Sequence, residues 1–426
     1  MPFIMDPKWI AVAVFVGVYL LIVLGLRELT VASLAGVTLL LLLGVLSWEE
    51  TWHYVDFDIM ALLIGVMMVA RMLSHVGFFR WLGIHMANLV RCDPTKMMVF
   101  FIVVSALLTS FAGATVVVAL MMSMVAIEIM DVLELDPRPL VLSLIFTVNI
   151  AGMSTSVSSL PTILIASALR ISFWDFLSHM WLPTIVSVGA LLGSLFLFFR
   201  HSFLSARPKF RRIPIDPSEV IADKKLFVLY ASLFVAMIIG FIIGPYFGLM
   251  PGAVALIVAS IMLIVGGKRV GPVVREVDWE TVLSITCLLM LVGALDKWGV
   301  ITDLAAIMAP ALMGNKLVGA TAVLWSSAII SAFIDNVPYT ITMRSTLIEV
   351  CGLRPGPLWW ALAAGTCLGG NGTVIASYAN LVVASAASEK GYKISPKAFA
   401  KLGLPLVLIT TAISNLAILA SVLLWS

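Results

Sequence analysis

An aspartate, an asparagine and a proline interrupt an otherwise apolar stretch at Ser331-Ala332-Phe333-Ile334-Asp335-Asn336-Val337-Pro338. An ionisable group at membrane depth is costly to bury and ordinarily faces a pathway, where it binds a cation or takes up a proton. Asp335 could equally cap the helix that follows it, accepting from free backbone N–H groups, and the two roles are compatible. Two further polar runs break apolar segments. One is Gly369-Gly370-Asn371-Gly372-Thr373, with Ser377 and Asn380 beyond it; the other is Asn149-Ile150-Ala151-Gly152-Met153-Ser154-Thr155, with Ser156, Ser158 and Ser159 beyond it. A helix broken at such a run offers free N–H groups to anions and free carbonyls to cations, and glycine lets a ligand approach the backbone. Isolated Ser and Thr hydroxyls also join membrane helices to one another, which for them is the simpler reading. The glycine-rich run around Asn371 instead points to a midplane site.

The elements that must hold these groups follow from composition and repetition. With 426 residues, 62% of them hydrophobic and 12% charged, and a mean hydropathy of +1.12, the chain is a polytopic membrane protein. Its halves share a pattern at an offset of 222 residues: Val55-Asp56-Phe57-Asp58 recurs as Val277-Asp278-Trp279-Glu280, Gly77 as Gly299, Phe111 as Phe333 and Met121 as Met343. Apolar runs fit to span a membrane, which needs roughly 20 residues, lie near 9–26, 31–47, 58–74 and 181–199, then near 226–244, 251–266, 281–295 and 402–424. Between the third and last run of each half come two interrupted segments. The first, 97–130 or 319–350, breaks at Ala112-Gly113-Ala114-Thr115 or at Asp335-Asn336-Val337-Pro338, and reads as a re-entrant hairpin of two short arms and a tip. The second, 140–169 or 358–387, reads as a helix broken in mid-membrane, tolerable only where its bare backbone lines a cavity.

The expected fold is therefore an all-α integral membrane protein of two inverted repeats, each of about five transmembrane helices plus a re-entrant hairpin and a broken helix. Residues 1–200 form the first repeat, 201–225 a linker loop with Pro208, Pro214 and Pro217, and 226–426 the second. An odd number of crossings per half forces opposite orientations. With the basic loop 200–225 in the cytoplasm, Lys8, Arg170, Lys297, Lys316, Arg344 and Arg354 lie outside and the other 20 of the 26 Lys and Arg, Lys268 and Arg269 among them, lie inside. That bias follows the positive-inside rule and implies a cytoplasmic (inner) membrane with both termini outside.

Other chemistry finds little support. His75 and its counterpart Lys297 end the third helices, where snorkelling to the interface is the simpler role. Asp296 could pair with Lys297. Cys367, beside the glycine run, could touch a thiophilic ligand, although a lone membrane cysteine ordinarily packs. The four cysteines show no paired spacing. No P-loop, HExxH pair or nucleophile elbow is present, which argues against an enzyme or self-contained ATPase, and no basic and aromatic stripe suits nucleic acid.

At these motifs the chain resembles the ion transporter superfamily, in the branch of arsenite efflux permeases, D-type sodium/proton antiporters and the melanosomal P protein, with citrate and dicarboxylate carriers more distant. Ser331 to Pro338 is similar to that family's hairpin motif, and Gly369 to Asn380 to its glycine-rich broken helix. The resemblance implies ten crossing helices, two hairpins and an elevator-like or rocking movement of the site. The first half departs from the antiporter pattern. Gly113-Ala114 stand where those relatives carry Asp-Asn, and Ser158-Ser159-Leu160-Pro161-Thr162 where they carry Gly-Asp-Pro-Pro-Asn, so two carboxylates are missing that would carry protons or ligate sodium.

These readings converge on a secondary active transporter of a small inorganic solute, with proton-coupled arsenite or antimonite efflux leading. The alternatives are a sodium/proton antiporter and an anion symporter for a carboxylate or sulfate. Asp335 and Asn336 are the expected proton or cation site. Gly113, Thr115, Asn149, Ser154, Thr155, Ser158, Ser159, Gly370, Asn371, Gly372, Thr373 and Asn380 are the expected substrate-binding residues. The coupling ion is H+, with Na+ as the alternative, and no cofactor or metal is expected. The partners are the solute and the lipid bilayer, not nucleic acid; a homodimer and a separate soluble ATPase are both compatible with the sequence, which supports neither.

Overall fold

Asp56 and Asp278, the acids of the repeated motif, each cap a long helix. Asp56 accepts from the N–H groups of Asp58 (3.0 Å) and Ile59 (3.3 Å), and Asp278 from that of Thr281 (3.0 Å). The computed structural model describes residues 6–425 apart from 24–25, 114, 205–212, 214–215, 222 and 268–269. Ala114 of the first tip, most of the basic linker with Pro208 and Pro214, and Lys268 and Arg269 lie outside the described residues.

Among the described residues the chain is helical, with no strand. The first half contains α1 (Pro7–Val23), α2 (Leu29–Leu42), α3 (Trp48–His53), α4 (Phe57–His75), α5 (Phe78–Leu89), α6 (Pro94–Ala112), α7 (Thr115–Val132), α8 (Arg138–Ala151), α9 (Leu160–Leu169) and α10 (Phe173–Leu204). The second contains α11 (Lys224–Ile243), α12 (Pro251–Gly266), α13 (Val270–Arg275), α14 (Trp279–Lys297), α15 (Val300–Met313), α16 (Lys316–Ser331), α17 (Asn336–Cys351), α18 (Pro357–Gly369), α19 (Tyr378–Glu389) and α20 (Pro396–Trp425). The order repeats element for element, and details repeat with it. Asp93 caps α6 and Asn315 caps α16. Gly77 and Gly299 start α5 and α15 at φ +88° and +72°, a left-handed geometry that glycine adopts without a steric penalty. Pro183 sits inside α10 and Pro405 inside α20.

The packing is reciprocal. Helix α4 lies against α12 as α14 lies against α2, α7 meets α19 as α17 meets α9, and α10 meets α20. Exchange of partners in this manner is what an approximate two-fold axis between the halves produces. At the interface the ends of α4 and α14 are tied across the halves. His75 Nε2 lies 2.9 Å from Glu276, and Lys297 donates to Glu50 at 2.7 Å. Lys297 and His75 therefore do more than snorkel. The Lys297 ammonium holds the exposed Glu50 carboxyl down at about 2. Asp296 does not pair with Lys297; it lines a cavity described below.

Seven of the described helices, α4, α6, α7, α10, α11, α14 and α20, are long and apolar enough to cross a membrane. The interrupted segments 97–130 and 319–350 form the pairs α6–α7 and α16–α17, turning at the expected tips. Their arms are longer than anticipated, with 19 and 18 residues in the first pair and 16 in each arm of the second. Helices α5 and α15, which the hydropathy runs did not include, are short elements of 12 and 14 residues between a long helix and a hairpin arm. The innermost elements are α8 and α18, buried on every side from Pro139 to Ala151 and from Leu358 to Gly369. A helix apolar all round belongs in such a position, and Phe146 stacks edge-on against Phe399 of α20 there, 5.1 Å between ring centres.

Candidate functional site

Both broken helices stop in the middle of the protein, α8–α9 between residues 152 and 159 and α18–α19 between 370 and 377. Side chains close the carbonyls these breaks leave open. Gly152 O accepts from Ser158 Oγ (2.6 Å), Ser159 Oγ (2.8 Å) and Thr162 Oγ1 (3.4 Å). Gly370 O accepts from Asn380 Nδ2 (2.7 Å) and Asn149 Nδ2 (3.3 Å), and Thr373 O from Asn380 (3.0 Å). Asn149 of α8 and Asn371 of the second break meet directly: Asn149 Nδ2 donates to Asn371 Oδ1 at 3.0 Å. Asn149 also donates to Asn380 Oδ1 at 2.8 Å, and Asn371 to Phe146 O at 3.2 Å. This amide cluster is fully buried, where each unmade bond would cost about 1–3 kcal/mol.

Each hairpin tip is bolted to the break of its own half by the same bond. Thr155 Oγ1 donates to Ser110 O (2.6 Å) in the first half, and Thr373 Oγ1 to Ala332 O (2.8 Å) in the second. The first tip adds Ser154 Oγ to Ser110 Oγ (2.8 Å) and Thr115 Oγ1 to Ser158 O (2.7 Å). Gly113 turns there at φ +66°, and a Cβ would lie 2.7 Å from Val157 O. At the second tip Asp335 caps α17, its Oδ1 accepting from Val337 N–H at 2.9 Å, and Tyr378 N–H at the start of α19 also donates to it.

Between the tips and breaks lies a cavity of about 50 Å³ whose polar lining is Gly113, Thr115, Asn149, Ser159, Thr281, Asn336, Cys367 and Ser377. By the room a water needs, it can take a few water-sized groups. No Lys, Arg, His, Asp or Glu lines it among the described residues, while the Cys367 thiol does, 3.5 Å from Ser159 Oγ. Asp335 lines a smaller adjacent cavity of about 30 Å³, which shares Leu160, Thr281, Val337 and Tyr378 with the first. The expected substrate residues thus divide. Gly113, Thr115, Asn149 and Ser159 face the larger cavity, together with Asn336 of the expected proton site, whereas Ser154, Thr155, Ser158, Gly370, Asn371, Gly372, Thr373 and Asn380 build its frame from behind.

Two larger cavities lie at matching places in the two halves. One of about 220 Å³ is lined by Met67, Arg71, Leu120, Glu276, Asp278 and Tyr378 and shares Met67, Val116, Val117 and Tyr378 with the central cavity. The other, of about 190 Å³, is lined by Tyr54, Leu289, Gly293, Asp296, Arg344 and Glu349. They are counterparts, since Met67, Arg71 and Glu276 correspond to Leu289, Gly293 and Tyr54 at the 222-residue offset.

This architecture has known relatives. Residues 19–365 match the pattern of the citrate transporter family, CitMHS, over most of the chain. The chain belongs to this family. An uncharacterized transporter of Mycobacterium tuberculosis is 31% identical over 98% of this chain and 97% of its own length. The human P protein is 27% identical over 95% of this chain, which spans 59% of that protein. Among solved structures, the YdaH transporter of Alcanivorax borkumensis, described as having an unusual topology, aligns with a TM-score of 0.52 over 85% of this chain and 84% of its own, at 15% identity, a likeness of fold. Membership agrees with the resemblance carried by the Asp335 hairpin and the Asn371 run, and the chain is a multi-pass membrane transporter of the ion transporter superfamily.

Sequence reasoning missed Arg344 as a cavity residue, counting it only among the cations on the outer side. It lies within α17, where Nη1 donates to Leu164 O at 3.2 Å. Arg71, Thr30, Ser284 and Glu280 were passed over as well. Only Glu280 carried a usable signal, being the counterpart of Asp58 in the repeated acidic motif.

Proposed function

We propose that this transporter exports a small, uncharged hydroxy acid of trivalent arsenic or antimony in exchange for protons. The observation that carries the reading is the central cavity of about 50 Å³, a largely apolar wall of Leu63, Met67, Val116, Val117, Leu160, Pro161 and Val337 into which only uncharged amide, hydroxyl and thiol groups project. Arsenite is a neutral trihydroxy acid near pH 7. It needs hydrogen-bond partners rather than a counter-charge, and its thiophilic centre suits the Cys367 sulfur. A tricarboxylate such as citrate would bring several negative charges into a space for a few waters with no cation in its wall, which desolvation makes costly. A sodium ion needs a cage of hard oxygens, and the carbonyls that open each break, Gly152 O and Gly370 O, already accept from Ser158, Ser159 and Thr162 and from Asn149 and Asn380.

In this reading Asp335 carries the coupling proton. It sits at a tip that packs against the cavity, so its protonation and the occupancy of the cavity act on the same hairpin. Asn336, Asn149, Ser159 and Thr115 bind solute hydroxyls. The halves are inverted in the cytoplasmic membrane, both hairpins are re-entrant, and the basic loop 200–225 is cytoplasmic. The test is transport in vesicles of purified protein under an imposed pH gradient, comparing arsenite, sodium and citrate for the wild type and Asp335→Asn. Arsenite movement that needs both the gradient and Asp335 is expected. Sodium-dependent proton flux without arsenite movement would replace this reading with a cation antiporter, and full activity in Asp335→Asn would remove the acid from the mechanism.

A further inference from the structure

The cavity that holds Asp335 is also bounded by Ser284, Thr281 and Glu280 of α14, with Leu29 of α2. Its volume of about 30 Å³ has room for one or two waters, and its carboxylates and hydroxyls supply the partners a buried water requires. From its wall a chain of hydroxyls leads outward. Ser284 Oγ, buried, lies 2.6 Å from Thr30 Oγ1, and Thr30 Oγ1 donates to Glu280 Oε1 at 3.3 Å. Ser284 Oγ donates to the backbone carbonyl of Glu280 at 2.7 Å, a bond its hydroxyl gives up by rotating when it hands a proton to Thr30. Glu280 itself is exposed. The line thus runs from a carboxylate at the hairpin tip to a carboxylate in contact with solvent, through groups that both donate and accept.

We infer that Glu280, reached through Ser284 and Thr30, is the relay by which Asp335 exchanges its proton with the aqueous phase on the side of the α14 N-terminus. The proton leaves the Asp335 carboxyl for water in the cavity. Water passes a proton to Ser284 Oγ, Ser284 passes its own to Thr30 Oγ1, and Thr30 passes its own to the Glu280 carboxylate. Each hydroxyl ends with one proton, Asp335 ends ionised, and Glu280 releases the proton to solvent. The groups around this line are compatible with the transfer. Glu28 at the start of α2, Asp278 on α14 and Glu280 all act on the Tyr378 ring at the start of α19, while Tyr19 of α1 faces Asp335. The relay rests on Asp335 being the proton carrier and serves arsenite or sodium as the exchanged solute alike.

The experiment compares Asp335→Asn, Glu280→Gln, Thr30→Val and Thr30→Ser in vesicles, with pH-gradient-driven transport and solute–solute exchange at equal pH measured side by side, using arsenite and sodium as probes. Exchange requires the solute-loaded carrier to move but no proton to be delivered. Glu280→Gln and Thr30→Val are expected to slow gradient-driven transport about ten-fold or more while exchange stays within about two-fold of wild type, and Thr30→Ser, which keeps the hydroxyl, is expected to restore the driven rate. Wild-type driven rates in Glu280→Gln and Thr30→Val, with Asp335→Asn inactive, would overturn the relay and leave the carrier intact. An equal fall in driven transport and exchange without rescue by Thr30→Ser would show a structural role and overturn it too. Full driven transport in Asp335→Asn would overturn the carrier reading and the relay together.

Discussion

The two hairpin tips occupy equivalent places and are made of opposite materials. At the first, Gly113 turns at φ +66° with Val157 O pressed close against it. At the second, Asp335 turns the chain while its carboxylate gathers the N–H groups that begin α17 and α19. Yet the bond that fastens each tip to its break is the same, Thr155 to Ser110 O in one half and Thr373 to Ala332 O in the other. Duplication therefore preserved the frame and left the tips free to diverge. One tip supplies shape by close backbone approach, and the other supplies a charge that can be switched off by a proton.

The sharpest way to break this contrast is to neutralise the charged tip. Asp335→Asn keeps the size and the capping oxygen but cannot release a proton. Proton-driven transport in vesicles is expected to fall about 100-fold or more, with the protein still monodisperse in detergent. The next is to add bulk to the shape-giving tip. Gly113→Ala places a Cβ in left-handed backbone and against Val157 O, and should lower stability by about 2 kcal/mol, read as thermal unfolding in detergent. The same substitution at Gly248, which is left-handed with open space around it, should cost less. If the frame is truly shared, Thr155→Val and Thr373→Val should each cost about 1 kcal/mol and match one another; a large difference would show that the second tip leans on its bolt more than the first.

The smallest effect is expected at the ion pair that ties α3 to α14. The Glu50 carboxyl titrates near 2 in the folded protein against an ordinary 4.5. Its contribution is therefore fully present above about pH 4.5 and is lost as pH falls from there toward 2. The pair is exposed, so its worth is about 0–1 kcal/mol. Removing it with Glu50→Gln should flatten the acid limb of the stability profile by no more than that and leave transport unchanged.

Much of the frame was legible because membrane helices declare themselves by apolar runs and their ends by Asp, Asn, Gly and Pro. The tips at Gly113 and Asp335, the breaks after Ala151 and Gly369, and five of the eight expected spans (α4, α10, α11, α14 and α20) follow from residue type along the chain; α1, α2 and α12 form where expected but fall short of a crossing length, and α6 and α7 reach it although short arms were expected there. The shape-giving function of Gly113 was less visible, since its reason is the carbonyl of Val157 from a distant turn. The relay was invisible for the same reason. Thr30 and Ser284 are 254 positions apart, and neither differs locally from any hydroxyl that bonds back to its own helix. The division of the polar run into residues facing the cavity and residues holding it up, as between Ser159 and Ser158, depends on side-chain direction at an irregular bend, where no helical period exists to predict it.

The bond between Asn149 and Asn371 has a consequence for motion. Asn149 stands near the end of α8 and Asn371 in the break beyond α18, so one amide pair laces the two halves together at the buried centre of the protein. Asn149 also reaches Asn380, and Asn371 reaches back to Phe146 O, so neither broken helix can be drawn away from the other without stranding several buried polar groups at once. The two are stitched into one unit, and any rearrangement that keeps these bonds has to carry both together.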